Sequence, residues 1–213
     1  MPEEIRVAFH RELDDIDEKV GQLFALVGEG LQAATEAFLA SDREAAKRVM
    51  DRDKQVVDSL YNDIEQLVQR QFALQSPMAQ DLRFLLSVIR IVPELERSAD
   101  LAEHIAQRAA RGLSVELTPR IRGLVEQMGL VGATMWRDAA DAYAERNAAI
   151  ADQLKEDDDE LDELHVSLTA ELVSGKLSVP VALEMALVAR FYERLGDHAV
   201  NIAQRIRYMA IGQ

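Results

Sequence analysis

Residues 193–205, ERLGDHAVNIAQR, repeat residues 96–108, ERSADLAEHIAQR, with the same amino acid at 8 of 13 positions and an offset of 97 residues. A second alignment, at an offset of 104, pairs residues 53–61 with residues 157–165 and keeps two aspartates and a leucine in register. Both pairings run in the same order along the chain. The sequence therefore predicts two copies of one structural unit, one in each half.

Each unit is predicted to consist of helices. Between Phe9 and Val27 the apolar residues are spaced by three or four positions, which keeps one helical face apolar for five turns. Side chains that commonly cap a helix N-terminus divide the rest of the chain, at Ser41, Ser76, Thr118, Asn147 and Ser178. They predict six helices, at 4–39, 42–74, 77–111, 119–145, 147–174 and 179–210.

The short loops between such long helices require antiparallel neighbours. We therefore expect an all-α fold of six long antiparallel helices, arranged as two tandem, pseudo-symmetric three-helix bundles. Gly112 and the residues after it separate the halves, which places the first repeat at 1–112 and the second at 113–213.

The composition excludes several classes of function. The chain has 24 Lys and Arg against 38 Asp and Glu, a net charge of −14 that repels nucleic acids and anionic membrane surfaces. It has no cysteine, so disulfides and thiolate sites are excluded and any metal must bind through oxygen or histidine. No uninterrupted apolar run approaches the roughly 18 to 20 residues of a membrane span, and the first residues lack a secretory signal. We expect a soluble, cytoplasmic protein without direct membrane insertion.

Two acidic pairs lie inside the repeated segment. Glu96 and Asp100 are four residues apart, as are Glu193 and Asp197, so each pair occupies one face of its helix. A surface acid is most often simply solvated. The recurrence of the pair, and the alanines beside the second one, favour the alternative, which is binding of hard cations through oxygen. The residues alone leave both interpretations open.

A third acidic pair belongs to the segment 156–163. Asp158 and Asp162 lie on one shoulder of a predicted apolar stripe and so face a neighbouring helix. Together with Glu193 and Asp197 they would gather four carboxylates, which destabilise a fold unless protons or divalent or trivalent cations neutralise them. An acidic run of this kind is otherwise typical of a solvated helix face.

The first half has a less complete set of acids. Asp58 aligns with Asp162 and is a further candidate metal ligand, but Lys54 stands where the second half has Asp158. This half therefore has one acid fewer and a local positive charge.

Four further polar residues flank the acids. His104 and Asn201 lie one turn beyond the acidic pairs and are additional candidate ligands, although a helical histidine is commonly a surface or core residue. Arg97 and Arg194 directly follow the glutamates, where they either bridge to nearby acids or bind an anion. The sequence has no glycine-rich nucleotide loop, G-x-S-x-G or H-E-x-x-H motif, so no catalytic residue is predicted.

Three segments together carry a family resemblance: SP at 76–77 followed by DLR at 81–83, ELERSAD at 94–100, and RFYERLGDHAVNI at 190–202. They resemble the PhoU family of phosphate-signalling regulators. The likeness extends over about residues 4–211, as two PhoU-type repeats in order.

The resemblance implies a tandem of three-helix bundles and, in some members, multinuclear iron or zinc clusters held by acid-x-x-x-Asp motifs on the bundle surface. By position that motif falls on the three acidic pairs described above, and Lys54 departs from it. The family also implies a non-enzymatic cytoplasmic protein, as a homodimer, that links the ATPase of a phosphate-specific ABC transporter to a membrane sensor histidine kinase. When phosphate is plentiful, such a protein keeps the phosphate-starvation response off.

A rival prediction is a di-metal carboxylate oxidase or iron-storage protein of ferritin-like type. That chemistry uses Glu-x-x-His motifs whose ligands point into a four-helix core. The sequence has no Glu-x-x-His, and its nearest equivalent is Asp162 with His165. A helical structural module whose acids bind nothing is the third alternative.

Overall fold

The computed structural model describes residues 2–75 and 77–212, with the side chains of residues 2–5 and 52–54 outside the description. A 3-10 turn at Leu113–Glu116 separates the third and fourth helices, and this described part contains no strand. The predicted all-α fold of six long helices is confirmed. The helices are α1 (Pro2–Ala40), α2 (Arg43–Leu74), α3 (Ala79–Ala110), α4 (Pro119–Glu145), α5 (Ala148–Leu172) and α6 (Val179–Ile211).

Two of the predicted caps begin helices of the second half. The Thr118 hydroxyl accepts a hydrogen bond from the backbone amide of Ile121 at 3.3 Å. The Asn147 side chain accepts from two amides in the first turn of α5. Each cap satisfies N–H groups that have no partner within their own helix.

The predicted cap of α2 was wrong, and the predicted cap of α6 was right in position only. Asp42, not Ser41, caps α2, and it accepts from two backbone amides of the first turn. Ser41 instead adopts a φ of 57°, and its hydroxyl lies 2.9 Å from that of Ser114 in the turn between the halves. Ser178 begins α6 without a side-chain capping bond. Ser76 lies outside the described residues.

The helices pack as two bundles that share one core. α1, α2 and α3 contact one another, as do α4, α5 and α6, which is the predicted two-bundle arrangement. The bundles meet through α1, α3, α4 and α6, whereas α2 and α5 pack chiefly within their own bundle. A continuous set of buried apolar side chains runs through both halves. The division between residues 112 and 113 stays a prediction.

A three-helix contact joins the halves near the middle of the molecule. The Thr35 hydroxyl of α1 donates to the carbonyl of Leu31 at 2.8 Å and lies 2.7 Å from the Tyr192 hydroxyl of α6, which donates to it. The Thr35 methyl group also rests on Gly129 of α4, where a Cβ would overlap it. One side chain of the first half thus contacts two helices of the second.

The composition of α1 follows from its place in this core. Of the described helices, α1 is the one that is long and apolar enough to cross a membrane by length and composition, over Arg6–Ala40. Half of its apolar window is buried by other helices. The predicted stripe from Leu13 to Val27 faces inward, and Ile16, Val20 and Leu23 have no exposed surface. A buried core helix can have the same length and composition, so these properties are only weak evidence for a membrane-spanning helix.

Candidate carboxylate site

The contact between α5 and α6 brings together all four acids predicted for the second half. Burial is the main cause that raises the pKa of Asp158 from 3.8 to about 6, and the charges of Asp162, Asp197 and Glu193 add to it. These four side chains are therefore electrostatic neighbours across two helices. We call Asp158, Asp162, Glu193 and Asp197 the carboxylate cluster.

A glycine makes room for one member of the cluster. Gly196 of α6 lies against the Asp158 carboxylate, and a Cβ at this position would overlap Oδ1 and lie 2.8 Å from Cδ2 of Leu161. Any side chain at position 196 would therefore displace Asp158. The aligned residues of the first half are Ala99 and Lys54, so the pairing of a glycine with an aspartate belongs to the second half alone.

Glu193 is a largely buried member of the cluster. Its side chain keeps 13% of its accessible surface and forms an ion pair through Oε1 with Arg190, one turn earlier on α6. Its other oxygen, Oε2, is buried without a hydrogen-bond partner. Burial and the charge of Asp197 raise the pKa of Glu193, while Arg190 opposes them. A buried carboxylate oxygen without a donor is a group that a proton or a cation would stabilise.

The carboxylates are neighbours but do not converge on one point. Among the side chains of residues 6–51, 55–75 and 77–212, no three Asp, Glu or His groups lie close enough together to hold an ion as they stand. Asp162 and Asp197 are exposed. Rotation about their side-chain bonds therefore reorients their oxygens without a change in the helices.

The first half arranges its acids differently. Asp58 and Asp100 line a narrow cleft between α1, α2 and α3, together with Ala99 and Glu103. The structure thus brings two of the predicted ligands together from two helices. Asp58 is exposed, whereas Asp100 is half-buried.

Glu96 is an electrostatic neighbour of Tyr61 on α2. Burial, the neighbouring Glu65 and, to a smaller degree, Glu96 raise the pKa of Tyr61. Glu96 is absent from the walls of the Asp58 cleft. The Lys54 side chain, on which the prediction for this half depended, lies outside the described residues.

His104 and Asn201 lie in different surroundings, despite their equivalent positions. The His104 ring packs on Phe191 of α6 with 5.3 Å between ring centroids, and its Nδ1 is buried without a hydrogen-bond partner. The guanidinium of Arg108 lies 4.9 Å from the centre of the same Phe191 ring. Asn201 is exposed on α6, one turn after Asp197. His104 is therefore part of the contact between the halves.

The arginines lie on the surface beside the α3–α6 contact. Nη1 of Arg97 lies 3.5 Å from Oε1 of Glu94, an exposed ion pair of the kind that the sequence analysis offered for it. Arg194 is exposed. Burial is the main cause that lowers the pKa of His198; the Glu94 carboxylate opposes it, and the charges of Arg194 and Arg97 add to it.

His198 belongs to a buried polar network that the sequence analysis did not single out. The Ser98 hydroxyl donates to the backbone carbonyl of Glu94 at 2.6 Å and lies 2.9 Å from Nδ1 of His198. Nε2 of His198 lies 3.7 Å from the Glu94 carboxylate. Ser98 of α3 and Nδ1 of His198 on α6 therefore share a hydrogen bond across the contact between the halves. The signal in the sequence is that Ser98 and His198 both fall on the apolar period of their helices.

The molecule is a duplicated helical-bundle protein. It consists of two tandem three-helix bundles, and carboxylates gather where two helices of the second bundle meet. The sequence profile of the PhoU domain matches the chain twice, at residues 20–109 and 125–206. The chain belongs to the PhoU family.

Similar proteins match over almost the full length. The chain is 33% identical over 211 residues to the phosphate-specific transport system accessory protein PhoU homolog 2 of Mycobacterium tuberculosis, which covers 98% of this chain and 99% of that one. It is 29% identical to the corresponding homolog of Rhizobium meliloti, covering 98% of this chain and 89% of that one.

Solved structures give the same result for the fold. The crystal structure of PhoU from Pseudomonas aeruginosa matches with a TM-score of 0.89 at 28% identity, covering 96% of this chain and 100% of that one. The phosphate transport system regulatory protein PhoU from Streptococcus pneumoniae matches with a TM-score of 0.84 at 25% identity, covering 96% and 98%. The predicted family and fold are confirmed.

Proposed function

We propose that this protein is a cytoplasmic accessory regulator of phosphate-specific transport, which keeps the phosphate-starvation response off when phosphate is plentiful. The observation that carries the proposal is the match over 98% of the chain to a relative named as an accessory protein of that transport system. Both repeats take part in the match, so the proposal concerns the whole chain and not one module.

In this proposal the protein acts as a non-enzymatic adaptor. Its partners are the ATPase of the phosphate-specific ABC transporter and a sensor histidine kinase, and it acts as a homodimer recruited to the inner face of the membrane through them. Long helices that expose single apolar side chains, such as Leu130 on α4 and Leu183 on α6, support docking by helix-in-groove contact.

A reporter of the phosphate-starvation response tests this role. In cells that lack the endogenous protein and grow in ample phosphate, expression of this chain should repress the reporter, and affinity capture should recover the transporter ATPase and the kinase. A reporter that stays active despite normal levels of the folded chain would refute the regulatory role. Repression without recovery of either protein would refute the adaptor mechanism.

We further propose that the carboxylate cluster binds iron or zinc as a multinuclear centre. Three observations support the fit: the unpartnered buried oxygen of Glu193, the gap at Gly196 that admits Asp158, and an all-oxygen donor set that suits ferric iron and that zinc also accepts. A bound cation would supply positive charge that offsets the repulsion among the four acids. Asp58, Glu96 and Asp100 form the corresponding candidate set of the first half, with His104 as an additional candidate there and Asn201 as an additional candidate in the second half.

Elemental analysis tests the ligands of the second half. The double variant Glu193→Ala with Asp197→Ala should lose the metal of this half and keep its helix content by circular dichroism. Glu163→Ala, an exposed acid elsewhere on α5, is the matched control and should keep its metal. Added ferrous iron should not sustain oxygen consumption, and sustained turnover would favour the ferritin-like oxidase instead.

A further inference from the structure

The first part of α3 has apolar residues on two sides. Buried residues such as Leu85 and Val88 face the core. A second apolar series lies on another side of the same helix, at spacings of four, three and four residues: Leu82, Leu86, Ile89 and Pro93. A helix that is apolar nearly all round is usually buried all round. Here the second series is partly open to solvent, since Leu86 is 38% and Ile89 46% exposed.

Two exposed apolar side chains outside this series extend the same surface. Phe72 of α2, 37% exposed, forms part of one groove together with Ile89, and Met78 at the N-terminus of α3 is 76% exposed. We call Phe72, Met78, Leu86 and Ile89 the hairpin face, because α2 and α3 form an antiparallel hairpin. The hairpin face belongs to the first half, whereas the carboxylate cluster lies between α5 and α6.

The groove of the hairpin face is a hollow between α2 and α3. Its volume is about 110 Å³, and its walls are mostly apolar. That volume corresponds to about four water molecules at about 30 Å³ each, which is enough for one apolar side chain. Glu65, an acid in the wall, accepts a hydrogen bond from the Tyr61 hydroxyl at 3.3 Å. The hairpin face therefore combines protruding apolar side chains with a hollow that can receive one.

The hairpin is poor in acids. Residues 66–93 contain three arginines and a single acid, Asp81, within a chain of net charge −14. Asp81 lines a different cleft, together with residues of α1. Arg70 is already paired with Glu12 of α1. A second copy of so acidic a chain is repelled by most of the molecule, but few acids oppose its approach at the hairpin face.

The exposed apolar area is close to what a stable dimer needs. With about 200 Å² as the full surface of a large apolar residue, the four residues of the hairpin face expose roughly 400 Å². Leu82 and Pro93, half-buried in the same series, add to this area. A standard interface buries about 800 Å² on each partner, of which about 65% is apolar in homodimers, or about 500 Å².

We infer that a second copy of this chain covers the hairpin face, and that each copy inserts an apolar side chain into the groove of the other. The inference rests on the proposed function for the existence of a homodimer, and it names the surface that forms that homodimer. In a two-fold interface each copy presents the same surface to the other, so protrusion and hollow must lie on one face, as they do here.

The second half does not repeat the groove. Lys176 and Ala186 stand where the first half has Phe72 and Ile89, at the offsets of 104 and 97 residues. Each chain therefore has one such face, and two copies that cover it form a closed dimer and not a filament.

The mass of the full-length protein tests the inference, measured by light scattering over a range of concentrations with chelator present. The mass should rise from 23.8 kDa to twice that value as the concentration increases. Leu86→Glu combined with Ile89→Glu should raise the dimer Kd at least about tenfold, because each copy would then bury two unpaired charges. Leu130→Glu on α4 is the matched control, since Leu130 is 69% exposed outside the hairpin, and it should keep the dimer. Circular dichroism should show the same helix content in all three variants.

Thiol reactivity gives a second measurement that does not depend on disrupting the dimer. The chain has no cysteine, so a single introduced one reports on its own position. The Met78→Cys variant should react with a maleimide several times more slowly at concentrations at which the protein is dimeric than after dilution. The Leu130→Cys variant should react at the same rate under both conditions, and equal protection of the two positions would contradict the assigned face.

Other outcomes assign the surface differently and overturn the inference. A wild-type chain that stays at 23.8 kDa at every concentration would show that no second copy binds. If Leu86→Glu then abolished capture of the transporter ATPase, the face would belong to that partner. A dimer that survives the double Glu variant but dissociates with Leu183→Glu would place the interface on α6.

The phosphate reporter separates this inference from the proposed function. A monomeric wild-type chain that still represses the reporter would refute the dimer face and leave the regulatory role intact. A wild-type chain that dimerises through the hairpin face and fails to repress would refute the regulatory role and leave the dimer face intact.

Discussion

Replacement of Asp158 by asparagine should stabilise the protein at neutral pH. Asparagine keeps the size of the aspartate and removes a charge that burial and, to a smaller degree, the charges of Asp162, Asp197 and Glu193 disfavour. A pKa raised from 3.8 to about 6 corresponds to roughly 3 kcal/mol at 1.36 kcal/mol per unit. Because Asp158 is only half-buried, solvent screening reduces the expected gain to about 1 to 2 kcal/mol. For a chain of this length, that gain raises Tm by about 2 to 8 °C.

The gain should depend on pH in one direction. The pKa of Asp158 in the folded protein, about 6, lies above its value of 3.8 in the unfolded chain, so the folded state holds more protons between these values. Wild-type protein therefore recovers stability relative to Asp158→Asn as the pH falls from about 7 to about 4. The difference in Tm should be largest above about pH 7 and should vanish below about pH 4.

Calorimetry of both proteins across this range, with chelator present, is the assay. Chelator is needed because a cation bound to the wild-type cluster would stabilise it and mask the difference. Glu163→Gln on the outer face of α5 is the control and should change Tm little at any pH. A Tm for Asp158→Asn no higher than wild type near neutral pH, or a difference that does not change with pH, would refute the argument from burial and clustered charge.

Three further predictions concern other contacts. Gly196→Ala should weaken zinc binding at the carboxylate cluster at least about tenfold in isothermal titration, because the new Cβ displaces Asp158. Gly123→Ala meets nothing within 4 Å and should leave binding unchanged, so equal affinity in both variants would contradict the role of Gly196. Tyr192→Phe removes the hydrogen bond to Thr35 and should lower the free energy of unfolding by about 1 to 2 kcal/mol in denaturant titrations; no loss would show that this contact is unimportant. In the Asp158→Asn background, the free energy of unfolding should fall as the pH drops below 6.5. Burial lowers the pKa of His198 in the folded protein below 6.5, the value in the unfolded chain. The unfolded chain therefore binds more protons in this range, which favours unfolding. Adding His198→Gln should flatten that slope, and an unchanged slope would assign it to other groups.

The helices and their inward faces were predictable because they depend on local periodicity. The stripe that begins at Leu13 is buried as expected, and Thr118 and Asn147 cap helices where the sequence placed them. The start of α2 was misplaced by one residue. Ser and Asp are both good caps, and the choice of Asp42 follows from the positive φ of Ser41, a backbone property that the residue type does not reveal.

The candidate site was predictable only in part. Spacing of four residues places Glu193 and Asp197 on one face of α6, and the apolar stripe orients Asp158 towards a neighbouring helix. The register between α5 and α6, which sets Asp158 on Gly196, depends on side-chain packing between helices and has no local signal. His104 shows the same limit, since its stacking on Phe191 joins residues from different repeats.

Buried apolar residues run without a break through both halves, and this continuity determines how each repeat would behave on its own. Helices α1, α3, α4 and α6 each have apolar side chains that the opposite half covers. Removal of either repeat would therefore expose apolar surface of the other to water. A fragment left by truncation or proteolysis would expose this apolar surface and would be prone to aggregate. Heating should melt the intact chain in one concerted step. Neither repeat is therefore expected to fold as an independent domain.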